Sequence, residues 1–267
     1  MTTALEQARA TTNRVARTFA LACRMLPRDV RDDVYLLYLV FRTLDDLVDE
    51  GEPDATERVG AVSLWALGAD AARTPEVAVL SDLATRHDLP RDALVDFCLG
   101  MGEDLQGVVY ETEDDVDRYC YRVAGTVGVV MAAVLGAHQP ERARPAAAAL
   151  GMAMQRTNIL RDIDEDAANG RVYIARETLE RLGGGLAPGE RADVLRDQIA
   201  RADALYERGT AGIGELRRGR RAIAAAAGMY RELLRKLERD GYGATAGRAV
   251  VPRSRKLAIV ARAAWRA

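Results

Sequence analysis

Gln155-Arg156-Thr157-Asn158-Ile159-Leu160-Arg161-Asp162-Ile163-Asp164-Glu165-Asp166 is the stretch on which the reading of this chain turns. In a helix, Gln155, Asn158, Asp162 and Asp166 fall at i, i+3, i+7 and i+11 and make one polar stripe about 16 Å long. The segment before it, Ala146 to Met154, is small and apolar. A helix with that surround is buried, so its polar stripe must line a cavity. Carboxylates placed there are costly unless something positive meets them.

Far upstream the layout recurs. Tyr38, Arg42, Asp45 and Asp49 fall at i, i+4, i+7 and i+11, and the run Tyr35-Leu36-Leu37-Tyr38-Leu39-Val40-Phe41 is apolar on nearly every side. Within each stripe the two aspartates are four residues apart, about 6 Å along the axis. The spacing alone is weak: Asp29/Asp33, Glu111/Asp115 and Glu113/Asp117 share it, and exposed acids are the rule. The apolar surround singles out the two chosen pairs.

These donors are oxygens with amide support and no His or Cys beside them, which selects magnesium or manganese over zinc or copper. Magnesium dehydrates reluctantly and usually joins a few carboxylates to substrate phosphates. Arg42, Arg161 and Arg171 suit the remaining phosphate charge. Metal ions that neutralise a departing diphosphate make it a good leaving group. The carbocation left behind needs an apolar, dry cavity. Tyr119-Cys120-Tyr121-Arg122-Val123-Ala124-Gly125-Thr126-Val127-Gly128 fits that need. Gly125 and Gly128 weaken a helix, so they serve close packing or a kink.

The rest of the chain agrees with an all-α fold. Ala, Leu, Arg and Glu favour helix, and with aromatics at 5% and only short β-branched runs a sheet is not expected. Helices are predicted at about 3–24, 29–50, 56–73, 76–87, 91–106, 113–138, 141–167, 176–182, 189–216, 219–240 and 254–265. Pro27 before Asp29 starts a helix, Gly51-Glu52-Pro53 ends one, and Gly183-Gly184-Gly185 with Pro188 marks a loop. With 267 residues, no repeat and no low-complexity linker, one domain over 1–267 is the economical reading. A net charge of −2 argues against nucleic-acid partners. Cys23, Cys98 and Cys120 show no metal or disulfide spacing, which makes a reducing cytoplasm the default. No secretory signal or membrane span is read.

On these residues the chain resembles the phytoene/squalene synthase family over roughly residues 12 to 260. The resemblance lies in Arg42 to Asp49, Gly100-Met101-Gly102-Glu103-Asp104-Leu105, Tyr119 to Gly128, Thr157 to Asp166, Gly170-Arg171-Val172-Tyr173 and Pro252-Arg253-Ser254-Arg255-Lys256-Leu257. It implies a single-domain isoprenoid-synthase bundle with a central active-site cavity, magnesium dependence, and head-to-head joining of two farnesyl or geranylgeranyl diphosphates. It implies Asp45, Asp49, Asp162 and Asp166 as magnesium ligands, and Arg42, Asn158, Arg171 and Tyr173 as diphosphate and metal-site contacts. Tyr38, Tyr119 and Gln155 would line the reacting region and Phe19 the prenyl pocket. Three departures stand out: Val15-Ala16-Arg17-Thr18-Phe19 in place of a serine-rich entry, Arg156 at a usually apolar position, and Ile174-Ala175 where proline is common. They leave the second-substrate site open, including transfer of a farnesyl group to an indole-type acceptor, as in a related group of prenyltransferases.

Other readings are weaker. A di-iron bundle wants Glu-x-x-His pairs, which His87 and His138 do not complete, and His87-Asp88 lacks the upstream histidine of an HD phosphohydrolase. A non-catalytic helical interaction protein stays open. NADPH is not expected, since no strand-borne GxGxxG is present, although reducing members of the family lack that motif too. Arg253, Arg255, Lys256, Arg262 and Arg266 form either a solvated face or a peripheral contact with anionic membrane.

Overall fold

The computed structural model describes residues 2–106 and 109–265. Helices follow one another as α1 (Thr2–Val15), α2 (Arg17–Cys23), α3 (Arg28–Asp49), α4 (Ala55–Ala66), α5 (Pro75–Ala84), α6 (Arg91–Gln106) and α7 (Glu113–Cys120). A π-helical turn (Tyr121–Gly125) leads into α8 (Thr126–Leu135), followed by α9 (Pro140–Ala168), α10 (Arg176–Leu182), α11 (Ala192–Ala211), α12 (Arg220–Arg239) and α13 (Arg253–Trp265). Among the described residues the β geometry is a lone bridge between Ala137 and Leu216. No described helix is long and apolar enough to cross a membrane.

The helix ends follow local chemistry. Pro27 and Asp29 open α3, Thr74 caps α5 by accepting from the Val77 N–H at 3.3 Å, and Thr112 with Asp115 forms a capping box on α7. Several predicted helices are shorter or broken. The 76–87 span ends at Ala84, and the 189–216 span gives α11 to Ala211 and then a 3-10 turn at Ile213–Glu215. The 3–24 span divides at Ala16, between α1 and α2. The 56–73 span stops at Ala66, because Gly68 takes a left-handed φ of 75° and the Gly68 and Ala69 N–H groups turn back to Trp65 and Leu64. The 113–138 span is interrupted by the π turn, so both options read for Gly125 and Gly128 are present. There is a change of helical pitch, and there is close packing on α9. A Cβ on Gly128 would stand 2.3 Å from the Ala147 carbonyl oxygen, and one on Gly151 would stand 2.1 Å from that of Ala124.

Two large apolar clusters form the interior. One gathers α3, α4, α5, α6 and α8 around Leu37, Leu44, Leu80, Leu94, Phe97 and Val130. The other gathers α9, α11 and α12 around Ile159, Leu160, Leu195, Tyr206 and Leu234. Val123 and Ile223 pack against both. Helix α3 lies in the first cluster and the acidic end of α9 in the second, so the two stripes meet where the clusters adjoin. On α13, Arg255 and Lys256 turn inward to Glu232 at 3.1 Å and Thr18 at 2.8 Å, while Leu257 and Trp265 stay exposed. Arg266 lies outside the described residues.

Candidate active site

Helix α3 buries Val34, Leu36, Leu37, Val40, Phe41, Leu44 and Val48 and leaves Tyr38, Arg42 and Asp45 half-buried on one stripe, with Asp49 exposed at its end. On α9, Ile159, Leu160 and Ile163 are buried and Gln155, Asn158, Arg161, Asp162 and Asp166 are half-buried. The stripes share one field. The Asp45 carboxyl is pushed up to about 6 by burial and then by Asp49. Asp166 is pushed up to about 6 by burial, then by Asp162 and Glu165, and also by Asp49 from the other helix. The Asp45 side chain nonetheless keeps 42% of its surface accessible. Protein surrounds it on most sides while part of its side chain stays accessible.

Arginines clasp the carboxylates. Arg42 Nη1 donates to Asp45 Oδ2 at 3.1 Å and its Nη2 pairs with Asp46. Arg171 follows the end of α9 and donates from Nη1 to Asp49 Oδ1 at 2.6 Å, tying the end of one stripe to the other helix. Arg161 forks onto Asp162, with Nε at 2.8 Å and Nη2 at 2.5 Å, and Arg248 reaches the same carboxylate at 2.8 Å. Asn158 Nδ2 donates to Gln155 Oε1 at 3.2 Å.

Aromatic side chains line the remaining wall. Phe19 on α2 packs against Tyr38 with tilted rings and centroids 5.0 Å apart. Tyr119, Tyr110 and Tyr173 pack in a mutual triangle, with Tyr119 at 5.2 Å from each of the others, and Tyr119 donates its hydroxyl to Asp104 Oδ2 at 3.2 Å. Tyr230 on α12 lies beside Arg161 and Tyr38.

Two observations test whether a divalent cation suits these residues. Among the described residues, Arg42 Nε, Asn158 Oδ1 and Arg235 Nε are the buried side-chain atoms without a hydrogen-bond partner, and Arg235 Nε still has Glu238 at 3.1 Å. The other two belong to the stripes: a donor for an anion and an acceptor for a cation. Buried polar groups are seldom left alone, so both call for a ligand. Among the described residues, no three His, Cys, Asp or Glu side chains converge closely enough to hold an ion by themselves. The donor set therefore fits magnesium that completes its shell with water and phosphate oxygens.

The other acid pairs have structural partners. Asp33 pairs with Arg86 and His87 at 2.9 and 2.7 Å, and Asp29 with Arg218 at 3.1 Å. Glu113 and Asp117 receive Arg156 at 2.9 and 2.8 Å. That explains Arg156: only 2% of its side chain is exposed, it bonds Gln198 at 2.6 Å, and it points away from the stripe into this ionic cluster.

Sequence reasoning did not single out Asp104, Tyr110, Tyr230 or Arg248. Asp104 had a signal, since it stands in a stretch that resembles the family. Arg248 and Tyr230 approach only through the packing of the C-terminal segment.

An all-helical bundle of this kind is the isoprenoid-synthase fold, and the protein is a prenyltransferase. A solved dehydrosqualene synthase bound to a ligand superposes with a TM-score of 0.89 at 25% identity, covering 98% of this chain and 96% of that one. The squalene synthase HpnC of Alicyclobacillus acidocaldarius superposes at 0.78 and 25% identity, covering 91% and 95%. The squalene/phytoene synthase family model matches residues 12–255, and the chain belongs to that family. A phytoene synthase of Thermus thermophilus is 39% identical over 238 residues, 84% of this chain and 80% of that protein. A 15-cis-phytoene synthase of a Paracoccus species is 32% identical over 266 residues, 94% and 87% of the two chains.

Proposed function

We propose that the protein joins two prenyl diphosphates head to head, with Asp45, Asp49, Asp162 and Asp166 holding magnesium. The observation that carries this is the pair of unsatisfied buried atoms, Arg42 Nε and Asn158 Oδ1, set between carboxylates that burial and then mutual repulsion already raise. A diphosphate with its cations would satisfy both. Bound magnesium would supply the positive charge that makes diphosphate a good leaving group. Arg42 and Arg171 would take phosphate oxygens, and Phe19 and Tyr38 would shield the prenyl chain from water. One substrate would ionise to an allylic cation, and the double bond of the other would attack it. The electron-rich faces of Tyr38, Tyr119 and Tyr173 would stabilise the positive charge.

The curated relatives are named phytoene synthases and the solved neighbours dehydrosqualene or squalene synthases, and farnesyl and geranylgeranyl diphosphate are the two donors to test. An indole-type acceptor draws no support from either set. Purified protein with magnesium and each diphosphate, with and without an indole acceptor, followed by mass spectrometry of the products, decides the matter. Two joined prenyl chains support the reading; prenylated indole, or no magnesium-dependent product, overturns it. Peripheral contact of α13 with anionic lipid, through Leu257, Trp265 and Arg262, is a separate proposal. It ends if the protein fails to sediment with anionic vesicles.

A further inference from the structure

Two arginine forks grip Asp162. Arg161 donates to Oδ1 from Nε at 2.8 Å and to Oδ2 from Nη2 at 2.5 Å. Arg248 meets the same two oxygens, with Nε 2.8 Å from Oδ1 and Nη2 3.3 Å from Oδ2. An ionised carboxylate offers about four lone-pair positions, and the two forks take them all. A cation can bind Asp162 only after one fork has left. Arg161 is the adjacent residue on α9, with 19% of its side chain exposed. Arg248 comes from the strap of residues 240–252 between α12 and α13, and 55% of its side chain is exposed. Arg248 is therefore the fork that can leave.

A separate clamp holds the strap. Asp164 lies two positions beyond Asp162, about 200° around the helix, so it works on another face of α9. Arg191, just before α11, is buried and donates to Asp164 from Nη1 at 2.5 Å and from Nη2 at 3.0 Å. The same guanidinium donates to two strap carbonyls, Gly243 at 3.1 Å and Thr245 at 3.3 Å. Asp164 Oδ2 also accepts the Gly247 N–H at 2.8 Å. Gly247 has a φ of 123°, which side chains with a Cβ rarely adopt, and Arg248 follows it directly. Under the strap lies a cavity of about 160 Å³, lined by Leu160, Leu195, Leu237, Thr245, Gly247 and Arg248. The strap thus has fixed anchors and room to shift.

We infer that Asp164 and Arg191 are positioning residues: they set the strap so that Arg248 closes on Asp162 and competes there with the divalent cation. The inference rests on the reading of Asp162 as a metal ligand. The charged fork keeps the carboxylate satisfied before the cation arrives. The apparent affinity for metal then falls by the fraction of molecules in which the fork is open. Asp164 and Arg191 act only through Arg248 and touch neither cation nor substrate.

Isothermal titration of the full chain with manganese alone tests this, since the fitted affinity does not depend on how much of a variant is folded. Arg248→Ala should bind manganese about tenfold tighter than the wild type, as for a fork closed nine times in ten. Two further variants separate competition from simple charge. Gly247→Val alters no charge and meets nothing within 4 Å, but it cannot hold the strap's backbone, so it too should tighten binding. Asp164→Asn removes a negative charge, which by itself weakens cation binding; through the loosened strap it should tighten it. In an Arg248→Ala background neither change should tighten binding further. Wild-type affinity in Arg248→Ala overturns the competition. Tighter binding in Arg248→Ala but not in Gly247→Val or Asp164→Asn overturns the positioning role. If the wild type binds no manganese even with inorganic diphosphate, the metal reading of Asp162 falls and takes this inference with it. If it binds manganese with diphosphate while the variants gain nothing for the metal alone, only this inference falls.

Discussion

Asp45 has two properties that pull against each other. Its carboxylate is needed where a cation would sit, yet burial and Asp49 make its ionised form unfavourable in the metal-free fold. The ordinary aspartate value is about 4, and the folded value is about 6. The native state therefore holds this proton more tightly than the unfolded chain. Its ionisation takes stability away as pH rises from about 4 to about 6, and the loss is complete above that. Asp166 behaves the same way. Metal-free Asp45→Asn should consequently melt above the wild type at pH 7 and no higher at pH 4.5, by circular dichroism melts in chelator; an equal difference at both pH values would sink this account. The same site should lose its chemistry: Asp45→Ala or Asp162→Ala should slow diphosphate release by about 10²-fold or more, in the range for removing one preorganised electrostatic group. Continuous assay of released diphosphate checks it, and wild-type turnover would refute it.

The element that positions half the site is α9, and its placement depends on what lies on its two sides. Toward the π turn and α8, Gly128 and Gly151 let backbone meet backbone. An alanine at either position must drive the helices apart, and overpacking of this kind costs about 1–3 kcal/mol. Urea denaturation of Gly128→Ala and Gly151→Ala measures it; unaltered midpoints would show that the contact yields easily. Toward α7 and α11, Arg156 ties α9 to Glu113, Asp117 and Gln198. Arg156→Ala leaves Glu113 short of its closest cation in a buried place, an effect of about 3–5 kcal/mol. Because Arg156 faces away from the stripe, the folded fraction of that variant should keep the wild-type KM for prenyl diphosphate. A changed KM with unchanged stability would put Arg156 in the substrate site instead.

Across the whole molecule, the site lies between two apolar clusters, with α3 anchored in one and the acidic end of α9 in the other. Arg171 to Asp49 is the direct polar link between the two stripes. A ligand that engages both stripes therefore binds the folded arrangement and not the unfolded chain, and at about 100 times its Kd it adds about 2.7 kcal/mol. Magnesium with inorganic diphosphate should raise the melting temperature, while magnesium alone should do much less because, among the described residues, no three acids converge by themselves. Differential scanning calorimetry with each component and with chelator tests this. An equal rise with magnesium alone would mean a preformed ion cage and would contradict the bridging arrangement.

How much of this was legible follows from the range of each interaction. Helix type, most helix ends and the two aspartate stripes were readable in the sequence, because they depend on periods of three and four residues and on caps one turn long. Hence apolar surround alone was the ground for proposing Asp45, Asp49, Asp162 and Asp166, and not Asp29/Asp33 or Glu113/Asp117, as metal ligands. The π turn at Tyr121–Gly125 was only half legible: its glycines showed, but a change of pitch needs the neighbouring helix to impose it. Which way Arg156 faces, that Arg171 reaches Asp49, that Arg248 reaches Asp162 and that Asp104 stands behind Tyr119 were decided by tertiary structure. Each joins residues far apart in the chain, and no local rule carries the distance between them. The sequence settled which side chains share a helix face, and packing settled which of those faces look at one another.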